Sequence, residues 1–241
     1  MKTLVVTWQD PKDRRWIPVG RLSVSGDVYR FVYTRGALSS QSFVPFGGMS
    51  DLTKQYESTQ LFPVFANRLL PRNRPEYQSF VDWLGLVGRA DPIALLARSG
   101  GVRETDSIEV FPLPEPDPSG LYRMHFFCHG IRYLAPGSLR RIGMLRPRDR
   151  LFLMLDFQNT KDPLALALRA ESPAELVGYC PRYLVPDFFS VLKPTDPAAV
   201  SVEVNQVNPE APTQFRLLCS LTAKWPQGFE PCSTPEYEAL A

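Results

Sequence analysis

Histidine is nearly absent: there are two in 241 residues, His125 and His129. If HFFCH forms a strand, these two share a face but lie roughly 13 Å apart, at about 3.3 Å per residue. They cannot hold one metal, and Cys128 between them points the other way. No G-x-S-x-G context supplies a nucleophile for either. The four cysteines, Cys128, Cys180, Cys219 and Cys232, have no C-x-x-C spacing, and three lie in apolar, strand-like surroundings. Free buried thiols are the reading, rather than disulfides. No apolar run approaches the roughly 18 to 20 residues that span a bilayer. The opening MKTLVVTWQD reaches a charge too soon for a signal peptide, so the expected location is the cytoplasm. There is no P-loop, and Asp149, Asp156 and Asp162 form no pattern suited to a magnesium-dependent nuclease. Asp156 is expected inside a strand. The sequence therefore predicts no enzyme, no metal and no cofactor.

The chain is 44% hydrophobic and 22% charged, a composition that folds, and its length suits two cores better than one. The net charge of +2 says little about a polyanionic partner. Its distribution says more. Between Arg132 and Arg150 stand six arginines (132, 140, 141, 146, 148 and 150) against one acid, Asp149. Such a cluster is either a phosphate-contacting surface or an ordinary solvated face.

The segment PLPEPDPSG at 112–120, with four prolines, reads as an extended linker. Before it, LVVTW, VGRLSV, YRFVYT and SIEVFP read as strands, with a hairpin turn at Ser25-Gly26-Asp27. QLFPVFANRLL and EYQSFVDWLGL have helical spacing, the second with Phe80, Val81, Leu84 and Val87 on one face. DPIALLARS is a helix capped by Asp91, with Pro92 in its first turn and Gly100 at its end. After the linker the chain is mostly strand: YRMHFFCHG, RLFLMLDF, LALALRA, ELVGYCP, VSVEVNQV and QFRLLCSLTA. Only VPDFFSVL reads as helical there, and KPTDPAA at 193–199 as a crossing. The expected architecture is an α+β domain at 1–112, a linker at 113–120, and a mainly β, small, partly closed barrel of the OB or SH3-like kind at 121–225. Residues 226–241 form an irregular tail.

Three stretches of the second half, HGIRYL (129–134), LDFQNTKDPLALAL (155–168) and LVGYCPRYLVPDF (176–188), resemble the HIRAN domain in order and spacing, over roughly 120–225. The resemblance implies binding of the 3′-hydroxyl end of single-stranded DNA. It implies that Arg132 and Tyr133 grip the terminal nucleotides and that Asp162 accepts the hydroxyl proton. Tyr179 and Arg182 would contact backbone phosphate. A carboxylate accepts a bond from a hydroxyl and repels a phosphate, guanidinium forks suit phosphate oxygens, and aromatics stack bases without sequence preference. Asn159 belongs to the same lip. The sequence departs from the family at Leu134, where a second aromatic is usual, and at Lys161, where an aromatic often precedes the acid; Lys161 can substitute a phosphate contact. Asn159 and Asp162 also suit a plain turn between strands, Tyr179 half-buried packing, and Arg182 a solvated surface.

The first half resembles the N-terminal subdomain of HipA-family toxin kinases and the small separate antitoxin (HipS-like) of three-gene versions of that system. VGRLSVSGDVYRFVYT, PFGGM (45–49), LFPVFANRLLPRNRPEY (61–77) and DPIALLARSGGVRETDSIEVFP carry this resemblance. No kinase-like stretch follows, so no kinase activity is implied. The expected function is a non-enzymatic adaptor that holds single-stranded DNA with a free 3′ end in its second half and a HipA-type kinase with its first. The rival is an antitoxin-like inhibitor acting through protein contacts alone. Its anchors would be Phe62, Phe65 and Leu69 on an exposed apolar face of 61–70.

Overall fold

The computed structural model describes residues 2–103 and 105–241. It divides into two compact units. The first comprises Met1–Asp82, Leu86–Leu113 and Glu230–Ala241, the second Trp83–Gly85 and Pro114–Phe229. Each is built on one antiparallel sheet with few helices. Among the described residues no helix is long and apolar enough to cross a membrane.

In the first unit the strands β1 (Lys2–Gln9), β2 (Trp16–Ser25), β3 (Val28–Tyr33), β4 (Tyr56–Ser58) and β5 (Ile108–Pro112) lie in the order β4-β3-β2-β1-β5. The two residues Gly26 and Asp27 close the β2–β3 hairpin, with Ser25 opposite Val28. The helices are α1 (Pro63–Ala66), α2 (Tyr77–Trp83) and α3 (Pro92–Ser99). α3 begins as its sequence requires: Asp91 accepts from the Ala94 N–H at 2.7 Å, satisfying one of the donors a helix start leaves open.

Two expectations for this unit are corrected. QLFPVFANRLL is not a long helix. α1 starts at Pro63 and the chain leaves it at Asn67, where the Arg68 side chain turns back and donates to the Val64 carbonyl at 2.9 Å. Phe62 and Phe65 are not exposed anchors: they are 9% and 0% accessible. Phe65 lies 5.7 Å from the Phe31 ring and 6.2 Å from the Phe46 ring. Leu69 is half-buried against the same core. Helical spacing marks an apolar face without saying what covers it, and burying rings of this size is worth about 1.5–3 kcal/mol each. Val87, expected on the buried face of its helix, lies beyond α2 and is 64% exposed.

The C-terminal residues belong with this unit. The Leu240 N–H donates to the Tyr33 carbonyl and the Arg35 N–H to the Glu238 carbonyl, both at 2.9 Å. Arg35 and Glu238 also form an ion pair at 2.9 Å.

The second unit is a six-stranded sheet in the order β6-β11-β10-β7-β8-β9. Its strands are β6 (Leu121–Phe127), β7 (Arg150–Leu155), β8 (Leu166–Ala170), β9 (Glu175–Tyr179), β10 (Ser201–Val207) and β11 (Leu217–Lys224). It is not a closed barrel: among the described residues β6 and β9 form no ladder, and the two edge regions are joined by an isolated bridge between His129, just past β6, and Tyr179 at the end of β9. Helix α5 (Val185–Leu192) covers one face, where Phe188 packs against Tyr122 and Phe126 of β6 at ring distances of 6.2 and 5.6 Å. A second helix, α4 (Pro136–Met144), was not expected. Its sequence PGSLRRIGM holds two glycines and few apolar residues, so its propensity is low. Ser138 and Ile142, one turn apart, are its buried face.

Candidate nucleic-acid interface

The site grows out of the β7–β8 connection. Asp156, expected inside a strand, is instead the first residue after β7, because its N–H already closes the loop base onto the Ala165 carbonyl at 3.0 Å. Its Oδ2 accepts from the Asn159 side-chain amide and from the Tyr179 hydroxyl, each at 3.0 Å. Asn159 Oδ1 in turn accepts from the N–H groups of Lys161 and Asp162, at 3.0 and 3.1 Å. Asp162 Oδ1 accepts from the Leu164 N–H at 3.1 Å, while its Oδ2 faces Arg182 Nε at 3.4 Å. Asn159, Asp162, Tyr179 and Arg182, separated by up to 23 positions in sequence, are thus one connected polar network with Asp156 as its hub.

A second segment is fastened to the same place. His129 and Tyr179 exchange two backbone hydrogen bonds, His129 N–H to Tyr179 carbonyl at 2.9 Å and the reverse at 3.0 Å. Two glycines permit the approach. Gly130 has φ +75°, and a Cβ there would stand 3.0 Å from the Tyr179 ring. A Cβ on Gly178 would stand 2.8 Å from that of Cys128. From Gly130 the chain makes a short 3-10 turn, Ile131–Tyr133, anchored by buried Ile131. The turn presents Arg132 and Tyr133 to solvent, with the guanidinium 4.7 Å over the ring and Tyr133 76% exposed.

Burial pushes the Tyr179 phenol above its ordinary value, and its bond to Asp156 adds to the effect. The phenol therefore stays protonated and donating at neutral pH. Lys161 is exposed on the loop. Sequence reasoning missed two residues here. Asp156 was misplaced because the strand pattern runs into it without a turn residue. Phe157 is 80% exposed beside the network; its signal was a lone aromatic in the polar run DFQNTKD. The arginine cluster is dispersed rather than gathered. Arg140 lies exposed on α4, and Arg146 and Arg148 on the turn that Asp149 holds by accepting from the Arg146 N–H at 2.9 Å. Arg150 opens β7, and Arg141 is tied to the Glu171 carbonyl at 2.7 Å.

The arrangement offers a hydroxyl-accepting carboxylate beside a guanidinium, flanked by exposed aromatics and cations. All four cysteines are buried and none is in a disulfide.

No protein-family model matches the chain, and no curated protein matches it. Among solved structures, a crystal structure of a protein from Lactobacillus plantarum is 16% identical, covering 43% of this chain and 96% of its own, with a TM-score of 0.34. The crystal structure of the HIRAN domain of human HLTF is 18% identical, covering 43% of this chain and 74% of its own, with a TM-score of 0.31. The HipA resemblance of the first unit has no support among these matches.

Proposed function

We propose that the second unit binds single-stranded DNA by its free 3′ end, at the loop between β7 and β8, and that the chain is a non-enzymatic adaptor. One observation carries this reading: the network from Tyr179 through Asp156 and Asn159 to Asp162 and Arg182 is pinned by backbone bonds to the turn that exposes Arg132 and Tyr133. A terminal nucleotide needs both parts. The 3′-hydroxyl donates to Asp162 Oδ2, whose 3.4 Å contact with Arg182 is longer than the roughly 2.7–2.9 Å of a strong charge-assisted bond, so the oxygen has capacity to accept another. Arg182, Arg132 and Lys161 take phosphate oxygens, and Tyr133 takes the base. A 3′-phosphate brings negative charge against Asp162 and is rejected.

The protein-only rival loses its anchors, since Phe62 and Phe65 are core residues. In the adaptor reading the first unit takes the protein partner, a HipA-type kinase, on a surface that excludes those two side chains. That part rests on the sequence resemblance.

The test is fluorescence anisotropy with a short labelled strand ending in a 3′-hydroxyl or a 3′-phosphate, on the unaltered protein and on Asp162→Asn. A hydrogen bond to a charged group is worth about 1.5–3 kcal/mol, so the hydroxyl end should bind at least about tenfold tighter, and the variant should lose the preference. Equal binding of both ends by the unaltered protein would refute end recognition.

A further inference from the structure

We infer that the face of β7 leading into this site is a track for the nucleotides upstream of the end, with Phe152 as a stacking station between Arg150 and Arg169. The inference rests on the end-binding reading and extends it from a terminal pocket to a strand several nucleotides long.

The register of the sheet places these residues together. Phe152 is paired with Arg169 and Met154 with Ala167, while Ala167 is paired with Tyr179. Directly paired residues of antiparallel strands project from the same face. Arg150, Phe152 and Met154 alternate along β7 and also share a face. One side of the sheet therefore carries Arg150, Phe152, Met154, Arg169 and Tyr179, and Tyr179 reaches Asp156, the next position in the same alternation. The opposite side carries Leu151 and Leu168, both buried, then half-buried Leu153 and, next to the loop, Leu155 at 42% exposure.

The chemistry of this face matches a single strand. Arg150 lies 5.3 Å and Arg169 5.0 Å from the centre of the Phe152 ring, so two guanidiniums stand close to one aromatic. The ring is half-buried, and Met154, one step nearer the end site, is 43% exposed. Arg169 is paired with Glu171 at 2.9 Å, and Arg150 stands opposite Glu203 in the register with β10. Arg146 and Arg148 are exposed on the turn that precedes β7. Aromatic platforms interleaved with arginines are how single strands are held without base preference. From Arg150 to Asp156 the strand rises roughly 20 Å at about 3.3 Å per residue.

The test compares 5′-labelled oligothymidylates of two, four and eight nucleotides, all ending in a 3′-hydroxyl, by anisotropy over a salt series. The eight-mer should bind at least about tenfold tighter than the dinucleotide. Phe152→Ala should weaken the eight-mer by about five- to a hundredfold and leave the dinucleotide within about twofold. Phe152 contributes to the sheet, so Arg150→Gln, an exposed substitution, is the second variant. It should lower the steepness of the logarithmic salt dependence for the eight-mer by about 0.7, the share of one single-strand phosphate contact. An eight-mer no tighter than the dinucleotide, or an unchanged salt slope in Arg150→Gln, would overturn the track while leaving the end site standing. Binding of no oligomer at all would overturn both.

Discussion

Tyr179→Phe removes one oxygen and asks whether the polar network holds its loop. The hydroxyl donates to Asp156 Oδ2 at 3.0 Å, and the same oxygen keeps the Asn159 amide at 3.0 Å. Hydrogen bonds to charged groups contribute about 1.5–3 kcal/mol, and the half-exposed setting argues for the lower figure. A loss near 1.5 kcal/mol corresponds to roughly tenfold more frequent opening of whatever the bond supports. What it supports, through Asn159 Oδ1, is the pair of N–H groups on Lys161 and Asp162. Amide hydrogen exchange should therefore quicken about tenfold at these two positions, while Leu168, paired within β8 on the core face, keeps its protection. The effect also has a pH signature. Because burial and then Asp156 raise the phenol above its ordinary value of 10.0, the bond's contribution is whole below that value. It drains as pH rises through the higher folded value. The unaltered protein should lose loop protection in that alkaline window, and Tyr179→Phe should show no such step. Unchanged exchange at 161 and 162 would refute the network, and a loss spread over the whole sheet would make Tyr179 a packing residue instead.

Two further outcomes follow from other groups. Gly130→Ala forces a side chain into a backbone with φ +75° and sets its Cβ 3.0 Å from the Tyr179 ring; it should cost about 1–2 kcal/mol for the left-handed conformation alone. Urea unfolding followed by a second-unit probe should shift by that amount, with weaker end binding, and full retention of both would show that the turn and Tyr179 are not coupled. In the first unit, Tyr33 is fully buried, donates to the Met49 carbonyl at 2.8 Å and accepts from the Phe46 N–H at 2.7 Å. Burial pushes its phenol up to about 12, so its contribution, on the order of 3 kcal/mol, is present below pH 10 and is lost as pH rises toward 12. Absorbance titration of the unaltered protein against Tyr33→Phe should show one late-titrating phenol.

Apolar runs set off by turn residues carried most of the second unit: each of its strands overlaps a stretch that reads as strand, with ends agreeing to within a residue or a few. Helices were less legible, for two different reasons. α4 buries only Ser138 and Ile142, too narrow a stripe for periodicity to register, and its stability comes from what it packs against. The 61–70 stretch shows the reverse. Its apolar spacing is genuine, but Pro63 and the returning Arg68 side chain confine the helix to 63–66, and both phenylalanines face inward. Spacing reports amphipathicity, and only tertiary contacts decide whether a neighbour already occupies the apolar side. The tail was opaque for a related reason: its attachment runs through backbone bonds to Tyr33 and Arg35, one exposed ion pair and the lone Leu240, which leave no periodic pattern.

At Asn159 and Asp162 the sequence admits two readings, a turn or a binding site, and the structure shows why these do not compete. Asn159 spends its carbonyl oxygen on the N–H groups of Lys161 and Asp162 and its amide on Asp156. Asp162 spends Oδ1 on the Leu164 N–H. Those bonds fix the loop, and by fixing it they leave Asp162 Oδ2 directed at Arg182, with the Asp162 side chain 16% exposed. The turn is thus the device that aims the carboxylate. Asparagine at 162 can keep the Oδ1 bond and the loop while removing the charge, whereas alanine loses both. A comparison of the two substitutions separates the roles: if end preference disappears in Asp162→Asn while exchange at Leu164 stays slow, the charge reads the end and the turn merely holds it. If both variants quicken exchange at Leu164 equally, the residue's contribution is the turn alone.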